Sequence, residues 1–264
     1  MNGRNPLWTF SGVRQAAWLF FAFLYIPILV LVVLSFNSGQ SATLWESFSL
    51  KWYAVVANDP EILRAAKNSL LVATLATLAS TVLATLAALG MRGRAFRGQT
   101  LMNGVLGLPL LVPEIVTAVA TLMFFSFIGL KLSLFTILIA HIVFCIPFAY
   151  LPIRARLEGL DPRLAEAAAD LYASPWKAFW KITLPLLMPG VLSGAMLAFI
   201  ISMDDFVITY FVAGAGAGAT TLPVYIFSSI RMGISPKINA ISSIILMISI
   251  AFVALSYYLG QRRR

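Results

Sequence analysis

Three carboxylates fall where an apolar chain can least tolerate them. Glu114 lies in the run Leu101–Phe127, and Asp204 and Asp205 close the run that begins near Pro189. A carboxylate inside an apolar span costs roughly 2.5–3.5 kcal/mol on insertion scales, so such a group normally faces a cavity or a partner. Pro109 and Pro113 each remove a backbone donor close to Glu114, leaving carbonyls that a ligand can use. Adjacent helical residues point about 100° apart, so Asp204 and Asp205 share one path only where the helix is broken. Phe206, Tyr210 and Phe211 follow at once. Carboxylates pair with ammonium groups, and aromatic faces add roughly 0.5–2 kcal/mol each by cation–π attraction. The chemistry open to this set is reversible capture of a cationic amine. Satisfaction by a neighbouring helix is the competing role for Glu114, and capping or contact with water for one of the two aspartates.

Little else in the chain is equipped for chemistry. No nucleophile–base–acid set is evident and no G-x-x-x-x-G-K-[ST] run occurs, while the Gly/Ala segment Ala213–Ala219 precedes no suitable helix. The lone Cys145 excludes an internal disulfide, and with His141 as the only histidine no Cys- or His-based metal site is expected. Cys145 reads as a small core residue and His141 as a packed or helix-bridging one.

These residues must be held by membrane spans. Of 264 residues, 60% are hydrophobic and 11% charged, at a mean hydropathy of +0.91. A soluble domain with a wet exterior is excluded, and an all-α polytopic membrane protein is predicted. The formal charge of +9 alone would suggest nucleic acid. However, Arg and Lys cluster beside apolar runs, so lipid is the expected partner and nucleic acid is not. Six spans are expected: Ala16–Phe36, Ser69–Leu89, the proline-interrupted Leu101–Phe127, Leu134–Ile153, Pro189 to about Val207, and Ile238–Leu259. The first is long, aromatic and followed by Asn37-Ser38-Gly39, the pattern of a retained signal anchor. Gln40–Lys67 reads as a polar outer loop with interfacial aromatics. Thr74, Thr77, Thr81 and Thr85 recur at helical spacing on a small-residue face that suits close packing. Leu222–Ile230 is too short to span and reads as re-entrant or interfacial. On this layout 13 of the 19 Lys and Arg fall on one side, which places both termini in the cytoplasm.

Between the fourth and fifth spans, on the inner side, lies Glu166–Pro185, EAAADLYASPWKAFWKITLP. Ala165–Leu171 is Ala-rich and favours a helix, and Ser174 with Pro175 makes an N-cap and first turn. A second helix is expected over Pro175–Leu184, with Trp176, Phe179 and Trp180 on one side, Lys177 and Lys181 on another, and Pro185 at its end. Such an elbow can pass force between the spans and something docked outside them. A helix lying on the lipid surface is the alternative.

The spacing carries a resemblance. Glu166-Ala167-Ala168, three residues, position 172, nine residues, then Ile182-x-Leu184-Pro185 resembles the EAA loop of ABC importer permeases. One position departs: that pattern has Gly where this chain has Tyr172, and Gly takes a left-handed turn at little cost where a bulky residue rarely does. The resemblance implies the type I importer permease fold, with residues 1–264 as one domain in a bacterial inner membrane and 154–185 as a cytoplasmic coupling loop. It also implies two ATPase subunits holding ATP and Mg, a second homologous permease, and a periplasmic or extracellular substrate-binding protein. This chain would itself hold no cofactor and catalyse nothing. Glu166, Ala167, Ala168, Tyr172, Ile182, Leu184 and Pro185 would form the ATPase-coupling contact, Glu166 serving there or as a first-turn helix charge. Glu114, Asp204, Asp205, Phe206 and Tyr210 would line the substrate path. The stretches Ser202–Val207, Thr220–Pro223 and Phe227–Ala240, with Leu34–Asn37 and Asn68-Ser69, are similar to the second-permease type of spermidine/putrescine importers. Relatives of that type also carry other amines, amino acid derivatives and opines. A stand-alone secondary transporter is the competing class, and the inner elbow and lack of an inverted repeat argue against it.

Overall fold

The computed structural model describes residues 12–92, 96–161, 163–214, 217–233 and 235–261. Arg4, Arg94 and Arg262–Arg264, which helped to orient the chain, lie outside the described residues, as does part of the Gly/Ala run. The elements in order are α1 (Val13–Leu34), α2 (Lys51–Asn58), α3 (Pro60–Gly90), α4 (Gln99–Leu111), α5 (Glu114–Phe127), α6 (Leu134–Glu158), α7 (Arg163–Asp170), α8 (Pro175–Ala178), α9 (Leu184–Asp204), α10 (Val207–Val212), α11 (Leu222–Met232) and α12 (Pro236–Gln261).

The fold is an all-α, multi-span membrane fold. Among the described residues, four stretches are long and apolar enough to cross a membrane unbroken: Val13–Leu34, Pro60–Gly90, Leu134–Glu158 and Pro175–Asp204. A fifth crossing exists if α4 and α5 count as one broken span, bent by 112°. The bend has a local cause. Val112 is extended because it precedes Pro113, and Pro113 then sits as the N-cap of α5.

The helices group into two compact units, one of residues up to Ile62 with those from Ile226, the other Leu63–Tyr225. In the first, α12 packs against α1 and α2. The turn after α1 is built on buried Asn37. Its amide donates to the Ser41 and Leu44 carbonyls at 3.1 and 2.6 Å, and its Oδ1 accepts from the Glu46 amide at 2.8 Å. The expected loop Gln40–Lys67 needs correction, since α2 and the start of α3 occupy much of it. Asp59 makes this helical: its Oδ1 accepts from the Glu61 and Ile62 amides, capping α3, while its Oδ2 accepts from Lys237 at 2.5 Å.

Burial pushes the Asp59 carboxyl upward, but the Lys237 hydrogen bond and the two amides outweigh it and hold the group below its ordinary value of 3.8. A lowered carboxyl contributes stability above its unfolded pKa and loses it as pH falls through the folded one. Lys237→Met is therefore expected to lower the thermal midpoint in detergent at about pH 5 and above, the difference vanishing in more acid solution.

In the second unit α9 lies closest to α6. Gly190 and Gly194 allow it, since a Cβ at either would come within 2.5 Å of Arg156 Cβ or of the Ala149 carbonyl. Cys145, Ala149, Ile153, Leu187 and Ala198 fill this seam, with Ala84 and Ala88 of α3 packed into it. Thr77 and Thr81 are buried on the same α3 face, whereas Thr74 turns outward. Asn68 donates to the carbonyls of Gly218 and Thr220, both at 2.9 Å, and Ser69 Oγ accepts from the Leu222 amide at 2.8 Å. Two stretches far apart in sequence thus meet.

The elbow ends α7 in a left-handed turn after all. Tyr172 has φ 57°, the one positive value at a non-glycine among the described residues. Its amide donates to the Ala169 carbonyl and the Ala173 amide to that of Ala168, both at 2.9 Å, which is the Schellman arrangement. Ser174 then accepts from the Lys177 amide and starts α8. Pro185 does not end the second helix, as the sequence suggested. Phe179–Thr183 forms a π-turn in which the Leu184 amide bonds to Phe179, five residues back. The widened turn shifts the carbonyls that a proline ring would crowd, so Pro185 sits in the first turn of α9. Elbow and span are one helical stretch, Pro175–Asp204.

Tyr172 is 98% exposed. Left-handed backbone costs a non-glycine residue roughly 1–2 kcal/mol. Tyr172→Gly is expected to stabilise the α7 C-terminus by about 1 kcal/mol, seen as slower hydrogen exchange at the Leu171 and Ala173 amides.

Candidate functional site

Two broken helices bring the acidic residues together. The first break, at Val112-Pro113, puts Glu114 in the first turn of α5, where a carboxylate also meets the positive helix end. The second lies between α9 and α10. α9 stops at Asp204, Asp205 is extended with ψ 121°, and α10 begins after Phe206. The expected run of the fifth span, from Pro189 to about Val207, is thus corrected at both ends. α10 packs against α5, so the two breaks meet, with the Glu114 and Asp205 carboxyl groups side by side and Asp204 adding its charge nearby. Carboxylates so close attract a cation more strongly than one alone.

The two aspartates differ. Asp204 is exposed. Asp205 is buried, and its carboxylate accepts from the amides of Ile208 at 3.3 Å and Thr209 at 2.8 Å, and from the Thr209 hydroxyl at 2.7 Å. These bonds satisfy the first amides of α10 and explain why the chain turns where it does. Phe206 and Tyr210 flank the break with ring centroids 5.3 Å apart, and Phe211 meets Tyr210 edge-on.

His141, on α6, completes the site. It is 2% exposed, with Nε2 3.1 Å from Asp205 Oδ2 and 2.8 Å from Thr209 Oγ1, and Nδ1 2.8 Å from Ser202 Oγ. The sequence reading allowed a helix-bridging histidine but named no partners. The signal was present: His141, Ser202, Asp205 and Thr209 all lie in apolar surroundings, and buried polar groups must find one another. Cys145 is buried beneath, its Sγ 3.6 Å from the Ala198 carbonyl.

The residues expected to form an ATPase-coupling contact are not part of this cluster. Glu166 and Ala167 are exposed on α7 and Ala168 is buried, while Tyr172 projects at the turn. Ile182 and Leu184 are half-buried at the π-turn and Pro185 is exposed. Trp176, Phe179 and Trp180 form a ring cluster with centroids 5.5–6.1 Å apart, as their spacing suggested. A groove of about 440 Å³ lies between α4, α5 and α6, lined by Leu108, Val116, Phe124, Val143 and Phe144. It is apolar and holds none of the carboxylates, so it offers a cation nothing.

Residues 80–264 match the model of the family described as binding-protein-dependent transport system inner membrane component. The chain is 38% identical over 241 residues to the spermidine/putrescine transport system permease protein PotC of Escherichia coli K12, covering 91% of this chain and 90% of that one. It is 41% identical over 233 residues to the putrescine transport system permease protein PotI of the same strain, covering 86% and 82%. Among solved structures, a chain of a bacterial ABC transporter involved in the import of the acidic polysaccharide alginate shares the fold, with TM-score 0.69, 18% identity and coverage of 96% and 98%.

Proposed function

The chain belongs to the family of binding-protein-dependent transport system inner membrane components, and on that premise we propose that it carries polyamines of the putrescine and spermidine kind in an ATP-driven importer. It is a multi-pass, non-catalytic permease subunit of the bacterial inner membrane. Residues 1–264 act as one permease domain of six spans, the broken α4–α5 pair and α12 among them, with both termini in the cytoplasm. A second homologous permease completes the path, and a substrate-binding protein delivers the cargo from outside. Two ATPase subunits, which bind ATP and Mg, grip the loop 154–185. Their closure rocks the spans between outward- and inward-facing states.

The observation that carries the cargo class is the gathering of Glu114, Asp204 and Asp205 at two adjoining helix breaks. Glu114 and Asp204 are exposed, and Phe206 and Tyr210 lie beside them. An amine chain can exchange its ammonium groups from one carboxylate to the next, and cation–π contacts hold it without trapping it. An inside-negative potential adds roughly 2.3 kcal/mol per charge per 100 mV of inward drive. In proteoliposomes holding the whole complex, putrescine is expected to compete with labelled spermidine and a zwitterionic amino acid is not. Equal competition by the amino acid would refute the polyamine assignment.

A further inference from the structure

We propose that His141 is a positioning residue: it commits Asp205 to the α9–α10 break and so leaves Glu114 and Asp204 as the carboxylates that meet cargo. This rests on the assignment of the acidic cluster to the substrate path and divides the cluster's labour. Asp205 receives four protein donors: the amides of Ile208 and Thr209, the Thr209 hydroxyl and His141 Nε2. Three of them converge on Oδ2 and the Ile208 amide takes Oδ1, so the carboxylate is held in place, with the Glu114 carboxyl beside it. Its side chain is 2% exposed, whereas Asp204 and Glu114 are open. An incoming ammonium group finds its acceptors on the open pair.

The network also fixes how the ring is held. The Thr209 hydroxyl gives its hydrogen to Asp205 Oδ2, so Thr209 Oγ1 can only accept from His141. Nε2 therefore carries hydrogen, while Nδ1 bonds the Ser202 hydroxyl. One ring thus joins α6, the last turn of α9, the break and α10. Without Nε2–H, Asp205 loses its bond from α6, and its carboxylate is free to swing toward the path.

The amides of Asn and Gln separate these roles. A Gln amide reaches the place of Nε2, while an Asn amide reaches only that of Nδ1 and keeps the Ser202 contact. The test is carbodiimide coupling of a labelled amine to carboxyl groups of the assembled complex in membranes, read by peptide mass spectrometry. In the wild type, Glu114 and Asp204 should label and Asp205 should not. His141→Asn should raise Asp205 labelling about tenfold, the effect of losing one hydrogen bond to a charged group, and His141→Gln should keep it protected. Thr209→Val, which also removes a donor from Asp205, should raise it too. Wild-type labelling of Asp205 equal to that of Asp204, or equal protection in the Asn and Gln variants, would overturn the proposal. Added spermidine should shield Glu114 and Asp204. If it does not, the substrate-path assignment fails, while the Asp205 pattern still decides the role of His141.

Discussion

Glu166→Ala is expected to leave the permease folded and inserted but to reduce substrate-stimulated ATP hydrolysis by about 30-fold or more. Two roles compete for this carboxylate, and their magnitudes differ. As a first-turn charge on the exposed α7 it contributes roughly 0.3–1 kcal/mol, at most about fivefold in any equilibrium. Ala is moreover the best helix former, so α7 survives the change. As a charged contact buried when an ATPase subunit docks, its truncation costs roughly 2–5 kcal/mol. Only the second role yields a large loss with α7 intact. The variant should still copurify with the ATPase more weakly, and hydrolysis should no longer respond to cargo. A loss under about fivefold would assign Glu166 to helix stabilisation alone.

The second large effect is expected at Glu114. Gln keeps the size and hydrogen-bonding groups and removes the charge, so Glu114→Gln isolates the charge–ammonium term. A hydrogen bond to a charged group contributes roughly 1.5–3 kcal/mol, so the KM of spermidine uptake should rise by about 10- to 150-fold. Glu114 also sits in the first turn of α5, where loss of the helix-end interaction alone costs at most roughly 1 kcal/mol. Glu114→Asp keeps the charge on a shorter arm and should recover part of the affinity. Cargo-stimulated ATP hydrolysis at saturating spermidine should survive in both variants, since the elbow is untouched. A KM shift under fivefold in Glu114→Gln would place the carboxylate in helix packing.

The elbow was the most legible part of the sequence, because its signals are local. Ser174 caps α8 as its side chain and the following proline dictate, and the aromatic spacing gave the Trp176, Phe179 and Trp180 cluster. Tyr172 was the doubtful point, and the left-handed turn survives there because the α7 C-terminal carbonyls need the amides that the turn supplies. Pro185 misled because proline normally stops a helix, and the π-turn that absorbs it has no sequence signature. α2 was missed for a different reason. Its eight residues are too few to be stable alone, and contacts with α12 and with the turn after α1 support them.

The site was half legible. Glu114, Asp204 and Asp205 stood out because charge in an apolar run is costly, and helical geometry allowed both aspartates one path only at a helix break, leaving a cap or contact with water for one of them as the other outcome. Which aspartate turns inward depends on the Thr209 groups four residues on and on His141, whose contacts with Ser202 and Thr209 span 61 and 68 positions. The number of spans was least secure. Composition marks six apolar runs, whereas the described residues give four unbroken crossings and one run bent by 112°.

The measurement that bears most directly on the central claim is ATP hydrolysis by the reconstituted complex of this chain with its second permease, ATPase and binding protein, with and without putrescine or spermidine. Hydrolysis should rise with either amine and only when the binding protein is present. Stimulation by other amines alone would discard the cargo and keep the importer. A chain that copurifies with no ATPase at all would contradict the account.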